Sequence, residues 1–245
     1  MPAIFVHGVP ETADLWDGVI ASLDRTDVSA LAVPGFGTAR PDGFGATMDE
    51  YAAWLVAELE AVGEPVDLVG HDWGGGFTIR VVSLRPDLVR SWVTDAAGLA
   101  DVNFEWHDFA KLWQTPGAGE DFWDQNLAAP VPDRAGLLAA GGVPEEHAAG
   151  MAAGIDRTMA DAILALYRSA TEVQDAWGPA FEAIPKPGMV VIPTEDPFLN
   201  EASARRAGER AGARIEVIDG LGHWWILQDP ARAAATLQSF WASVD

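Results

Sequence analysis

Val66-Asp67-Leu68-Val69-Gly70-His71-Asp72-Trp73-Gly74-Gly75-Gly76 is the stretch on which the reading of this chain turns. Residues 66–69 predict a short buried strand and residues 77–84 a helix. Between them there is no spacer, only a glycine-rich turn around one carboxylate. Such a turn has to be sharp, and small residues on both sides of its apex let the helix pack close against the strand. The apex side chain, Asp72, is then presented at the end of the sheet. A carboxylate there can displace a leaving group from carbon, forming an alkyl ester that water, activated by a base, hydrolyses. The plainer alternative is a solvated aspartate in a turn, and the rest of the chain has to decide between the two.

Working outward, short apolar runs at 4–6, 29–33, 91–94, 188–192 and 215–218 read as strands. Residues 14–23, 202–211 and 230–244 read as helices. Thr47-Met48-Asp49-Glu50 forms a capping box; Tyr51, Trp54, Leu55, Leu59 and Val62 follow on one helical face, and Gly63 ends the helix. The alternation predicts an α/β fold with a mostly parallel sheet flanked by helices. From 98 to 184 the chain is rich in Trp, Gly, Ala and Pro with no good strand. That stretch is expected to be a helical cap, leaving 1–97 and 185–245 as the core.

The 245 residues, 49% hydrophobic, suit one core with a modest insertion. Fifteen Lys and Arg against 37 Asp and Glu give a net charge of −22, which argues against nucleic acid and anionic lipid as partners. With no run near the roughly 20 apolar residues of a membrane span, and no basic leader, the expectation is a soluble, cytoplasmic protein, monomeric or homodimeric. There is no cysteine, so disulfide and thiolate chemistry are excluded, and five scattered histidines do not suggest a metal site. No cofactor is expected either. Gly74-Gly75-Gly76 follows a His-Asp-Trp turn, with no acid at the next strand end, so it is not a dinucleotide fingerprint. Eleven tryptophans against two tyrosines suit a pocket for a small neutral hydrophobic substrate, although core packing is the commoner use of Trp.

A base for ester hydrolysis belongs after the last strand, where Gly220-Leu221-Gly222-His223-Trp224-Trp225 offers His223. Thr194-Glu195-Asp196-Pro197 offers Asp196 as the acid that orients it, with Asp95 at the end of the 91–94 strand as the alternative. Two backbone N–H groups should hold the oxyanion: Trp73, next to the nucleophile, and Val9 in His7-Gly8-Val9-Pro10, where Pro10 is a candidate cis residue. His7 is read as shaping that loop, and His107 and His147 as surface or core residues.

Taken together, His7-Gly8-Val9-Pro10, Gly70-His71-Asp72-Trp73-Gly74-Gly75, Asp196-Pro197-Phe198 and Gly222-His223-Trp224 resemble the α/β-hydrolases with aspartate nucleophiles, that is, epoxide hydrolases and haloalkane and haloacetate dehalogenases. The resemblance implies a cap inserted after the equivalent of the family's sixth strand. The family's N-terminal hairpin is expected to be shortened or absent. Epoxide hydrolases protonate the epoxide oxygen with cap tyrosines, commonly two; Tyr167, 29 residues before Asp196, fits one of them, and Tyr51 belongs to a core helix. Dehalogenases hold halide with N–H donors. Trp73 supplies one; the second is often an Asn where Val9 stands here, or else a cap Trp, for which Trp106, Trp113 and Trp123 are candidates. Trp224 completes the expected pocket. The haloacetate enzymes grip a carboxylate with arginines beside the nucleophile, where this chain has Trp73 and Gly76. Epoxide hydrolysis to a diol is therefore the first expectation and haloalkane dehalogenation the alternative, followed by another ester or C–C hydrolase or a non-catalytic ligand receptor.

Overall fold

All four residues of the first strand, β1 (Ala3–Val6), are buried, because helices cover both faces of the sheet to which it belongs. The computed structural model describes residues 1–244. After β1 a 3-10 turn (Ala13–Trp16) runs into α1 (Asp17–Ala21), then β2 (Val28–Leu31), α2 (Met48–Val62), β3 (Val66–Gly70), α3 (Trp73–Leu84) and β4 (Val89–Thr94). Six helices follow: α4 (Asp108–Gln114), α5 (Ala118–Ala128), α6 (Val131–Ala140), α7 (Glu145–Gly154), α8 (Arg157–Ser169) and α9 (Val173–Trp177). Then come β5 (Gly188–Pro193), α10 (Glu201–Ala211), β6 (Arg214–Ile218), α11 (Trp225–Gln228) and α12 (Pro230–Val244). The six strands are all parallel, in the order β2-β1-β3-β4-β5-β6.

Period-two alternation divides the interior into two cores. Ile4, Val6 and Leu68 join the apolar faces of α2, α3 and α8, whereas Ala3, Phe5 and Val69 pack with α1 and α12 on the other side. The α2 capping box forms as its sequence predicts, and Gly63 closes that helix in the left-handed conformation. Two elements differ from expectation. Residues 14–23 do not make one helix; Gly18 and the β-branched Val19 and Ile20 are poor helix formers, and only five residues are α-helical. Conversely, α3 begins at Trp73 and runs through three glycines that propensity alone would exclude, because close packing against the strands requires them. Residues 95–187 contain helices and turns with no strand among the described residues.

Strand register positions the site. Val6 of β1 pairs with Gly70 of β3, and Gly70 pairs with Thr94 of β4. The residues that follow these three, His7-Gly8, His71-Asp72 and Asp95, therefore emerge side by side at the carboxyl ends of the strands, where open α/β sheets bind ligands.

At the opposite end the fully buried Asp67 accepts hydrogen bonds from Arg25, Arg90 and Ser91, tying β3 to β4 and to the segment before β2. Asp67→Ala leaves both guanidinium groups without this partner, and we expect a loss of about 3 kcal/mol, or a Tm lower by roughly 6–12 °C in a calorimetric scan.

Candidate active site

Asp72 sits at φ 49°, ψ −121°, the left-handed half of the map that a residue with a side chain adopts only when its surroundings impose it. The surroundings here are backbone. A Cβ built on Gly70 would lie 2.2 Å from the Gly74 carbonyl oxygen, and one on Gly74 would lie 2.2 Å from the Val6 oxygen. Only glycine allows β1, β3 and the first turn of α3 to meet this closely. The Asp72 N–H is then received by Asp95 Oδ1 at 2.9 Å.

The Asp72 carboxylate faces two donors on one side and an imidazole on the other. Val9 N–H donates to Oδ1 at 2.8 Å, and the Trp73 N–H, at the amino end of α3, favours the ionised form as well. The Val9–Pro10 peptide is cis. Oδ2 lies 3.7 Å from His223 Nε2, and the other ring nitrogen, Nδ1, is 2.9 Å from Asp196 Oδ2. Asp196 is fixed in turn by the Phe198 N–H at 2.8 Å. The structure thus brings Asp72, His223 and Asp196 into one chain of contacts. Asp95 makes its hydrogen bonds elsewhere, to the Asp72 N–H, His71 and the Trp225 indole, so the geometry gives the place beside His223 to Asp196 rather than Asp95.

Beneath this row lies a second one that the sequence did not advertise. His71 is clamped between Asp95 (2.5 Å) and Glu11 (3.1 Å), all three buried. Glu11 also accepts the Gly8 N–H at 2.8 Å and the Trp224 indole N–H at 2.7 Å. One carboxylate therefore holds the turn bearing Asp72, the other holds the loop bearing Val9, and His71 joins them. His7 binds its own loop and the Val33 N–H, as expected for a shaping residue. Glu11, His71 and His223 bring potential ligand atoms within 4.8 Å of one another, but on Glu11 and His71 those atoms are already engaged by Asp95, Trp224 and each other.

The electrostatics follow from burial and neighbours. Burial pushes Asp72 up to about 6, with Glu11 adding to the rise and the His223 and His71 rings opposing it. Burial disfavours a charged His223, yet Asp196, by charge and hydrogen bond, and Asp72, by charge, together more than reverse this, and its pKa is raised. His71 behaves likewise: burial lowers it, but Asp95 and Glu11 together hold it well above the ordinary histidine value, as an imidazolium.

Asp72, His107, Tyr167, Phe198 and His223 are shared by the walls of two cavities. The smaller, about 60 Å³, runs toward Leu99, Trp106 and Asn200; the larger, about 250 Å³, runs under the helical insertion toward Trp113, Trp123 and Trp224. Tyr167, on α8, is 3% exposed and packs edge-on to Trp73. The candidate tryptophans separate by what their N–H groups do. Trp106 stacks on Trp73 but donates to the Ala170 carbonyl at 3.0 Å, and Trp224 is committed to Glu11. Among the described residues, Trp113 and Trp123 have no acceptor. Contrary to its expected surface or core place, His107 lines both cavities, and burial lowers it to about 4. Tyr51 donates to the Pro34 carbonyl within the core, away from both cavities.

Over 95 residues the chain is 36% identical to "Haloalkane dehalogenase 2" of Mycobacterium tuberculosis, covering 38% of this chain and 33% of that protein. Over 89 residues it is 32% identical to "Lipase LipV" of the same species, covering 36% and 34%. The alignments thus span about a third of the length of these curated relatives. Among solved structures, haloalkane dehalogenase DbeA of Bradyrhizobium elkanii superimposes with a TM-score of 0.74 at 19% identity, covering 99% of this chain and 91% of that one. Epoxide Hydrolase A of Mycobacterium thermoresistibile gives 0.76 at 23%, covering 98% and 90%. A family model described as the alpha/beta hydrolase family matches residues 3–236, and the chain belongs to that family.

Proposed function

We propose that this chain hydrolyses epoxides to diols through an alkyl ester on Asp72. The observation that carries the reading is Tyr167, a buried phenol on the same cavity walls as Asp72 and His223. Burial first, and then the charge of Asp72, keep it well above the ordinary tyrosine pKa. It stays protonated and can donate to an oxygen that acquires charge.

In this reading Asp72 Oδ2 attacks an epoxide carbon, the C–O bond breaks, and Tyr167 gives its proton to the released alkoxide. Oδ1, already 2.8 Å from the Val9 N–H, becomes the ester carbonyl oxygen. His223 then takes a proton from water, and the hydroxide adds to Asp72 Cγ. The oxyanion on Oδ1 is held by the Val9 and Trp73 N–H groups. Collapse expels the second alkoxide, which takes the remaining carboxyl proton, and the His223 proton returns to Tyr167. Neutralising Asp72 by esterification also removes a charge that favours imidazolium, so His223 becomes a freer base at the step that needs one.

Dehalogenation uses the same nucleophile and base. Trp73 and Tyr167, packed edge-on in the wall of the smaller cavity with Asp72, offer an indole N–H and a hydroxyl, the pair of donors that favours it as a second reading.

His223→Gln should stall at the ester. Intact-mass measurement is expected to show a gain equal to a whole epoxide; a gain equal to haloalkane less hydrogen halide would select the second reading, and Asp72→Asn should show neither. Tyr167→Phe should slow epoxide ring opening about 100-fold or more while leaving hydrolysis of an ester already formed little changed, as single-turnover kinetics would show. Because Asp72 must be ionised to attack, and burial raises its pKa to about 6, single-turnover alkylation should fall about tenfold per pH unit below that point and level off above it.

A further inference from the structure

Asp72, Tyr167 and His223 stand at a junction between two chambers of unequal size, on walls that both chambers share. An epoxide ring within reach of all three carries the substituents of its two carbons away from each other, so one chamber receives each. At about 250 Å³ the larger has room for about eight water-sized groups, whereas the smaller, about 60 Å³, has room for about two.

The smaller chamber has firm walls. Leu99, 8% exposed, belongs to the core, and Trp106 is held by the Ala170 carbonyl and by stacking on Trp73. Forcing a third carbon into that space means overpacking, which costs about tenfold or more in binding. The larger chamber differs in surface and in outlet. Phe109, Phe122 and Leu138 give it carbon walls, and the unbonded indole N–H groups of Trp113 and Trp123 are sealed off, so those rings offer a guest no hydrogen bond. Phe109, on α4, and Leu137, on α6, line this chamber and are also 40% and 46% exposed, which marks them as its apolar rim toward solvent.

We propose that this chain acts on epoxides that carry one large hydrocarbon substituent on one carbon and nothing larger than ethyl on the other, and that it discriminates against epoxides set in the middle of a chain. Leu99 and Trp106 enforce the difference through the size of the smaller chamber. The proposal deepens the epoxide reading and rests on it for the identity of the reacting group, but the shape of the site can be tested without turnover.

Three isomers of one formula separate shape from hydrophobicity. 1,2-Epoxyoctane, 2,3-epoxyoctane and 4,5-epoxyoctane ask the smaller chamber to take hydrogen, methyl and propyl. By kcat/KM the first two are expected to lead the third by about tenfold or more. Among terminal epoxides of four to eight carbons, kcat/KM should rise about threefold with each methylene that enters the larger chamber. Leu99→Ala should close most of the gap between the 4,5 and 1,2 isomers, and Leu138→Trp should cost 1,2-epoxyoctane its lead over 1,2-epoxybutane. A 4,5 isomer as good as the 1,2 isomer in the wild-type protein, or a Leu99→Ala variant that changes all three isomers by one factor, would overturn the proposal. In parallel, 1,2-octanediol and 4,5-octanediol would be titrated calorimetrically into Asp72→Asn. Should no epoxide react, the activity reading fails, and about tenfold tighter binding of 1,2-octanediol still supports the two-chamber shape. Equal binding of the two diols overturns it.

Discussion

The left-handed backbone of Asp72 is the constraint to which the rest of the molecule answers. It requires backbone contact between β1, β3 and α3, hence glycine at 70 and 74, and it requires an acceptor for the Asp72 N–H, which Asp95 provides from the next strand. Asp95 cannot stand alone in a buried site, and His71 and Glu11 complete it. Glu11 in turn fixes the Gly8 N–H, and so the loop that points Val9 at the Asp72 carboxylate. Asp72 and the Val9 N–H that faces it are thus set by one continuous hydrogen-bonded brace.

That brace is also an electrostatic instrument. Asp72, Glu11, Asp95 and Asp196 are four carboxylates around two imidazoles, His71 and His223, whose rings are 4.8 Å apart. Holding His71 as a fixed cation moderates the repulsion among the carboxylates, but not enough to cancel the burial of Asp72. Asp72 is consequently less stabilised as an anion than an exposed aspartate, a favourable starting point for the proposed attack, which would discharge it.

Much of this was legible because it depends on local rules. Strand, Gly-x-Asp-x-Gly and helix announce the sharp turn; Thr47 and Glu50 announce the start of α2; and the chain order of Asp72, Asp196 and His223 follows the strand ends. What could not be read depends on register and on side-chain direction. Nothing near Glu11 in sequence says that it meets His71, 60 positions away, because that contact exists only once β1 and β3 pair with Val6 opposite Gly70. Asp95 and Asp196 both end a strand or follow one, and only the position of His223 after β6 separates them. The tryptophans of the insertion looked interchangeable in composition; Trp106 and Trp113 differ because one indole finds the Ala170 carbonyl and the other finds no acceptor.

The insertion stands on two separate footings. Tyr167 and its helix α8 are rooted in the core shared with α2 and α3, while Val143 and Ala148, around the start of α7, belong to the core on the other face with Trp224 and α12. A roof anchored this way does not lift as one rigid flap without tearing both foundations. With the two roots in different cores, loosening of the α6–α7 side does not by itself require α8 and its Tyr167 to leave their place.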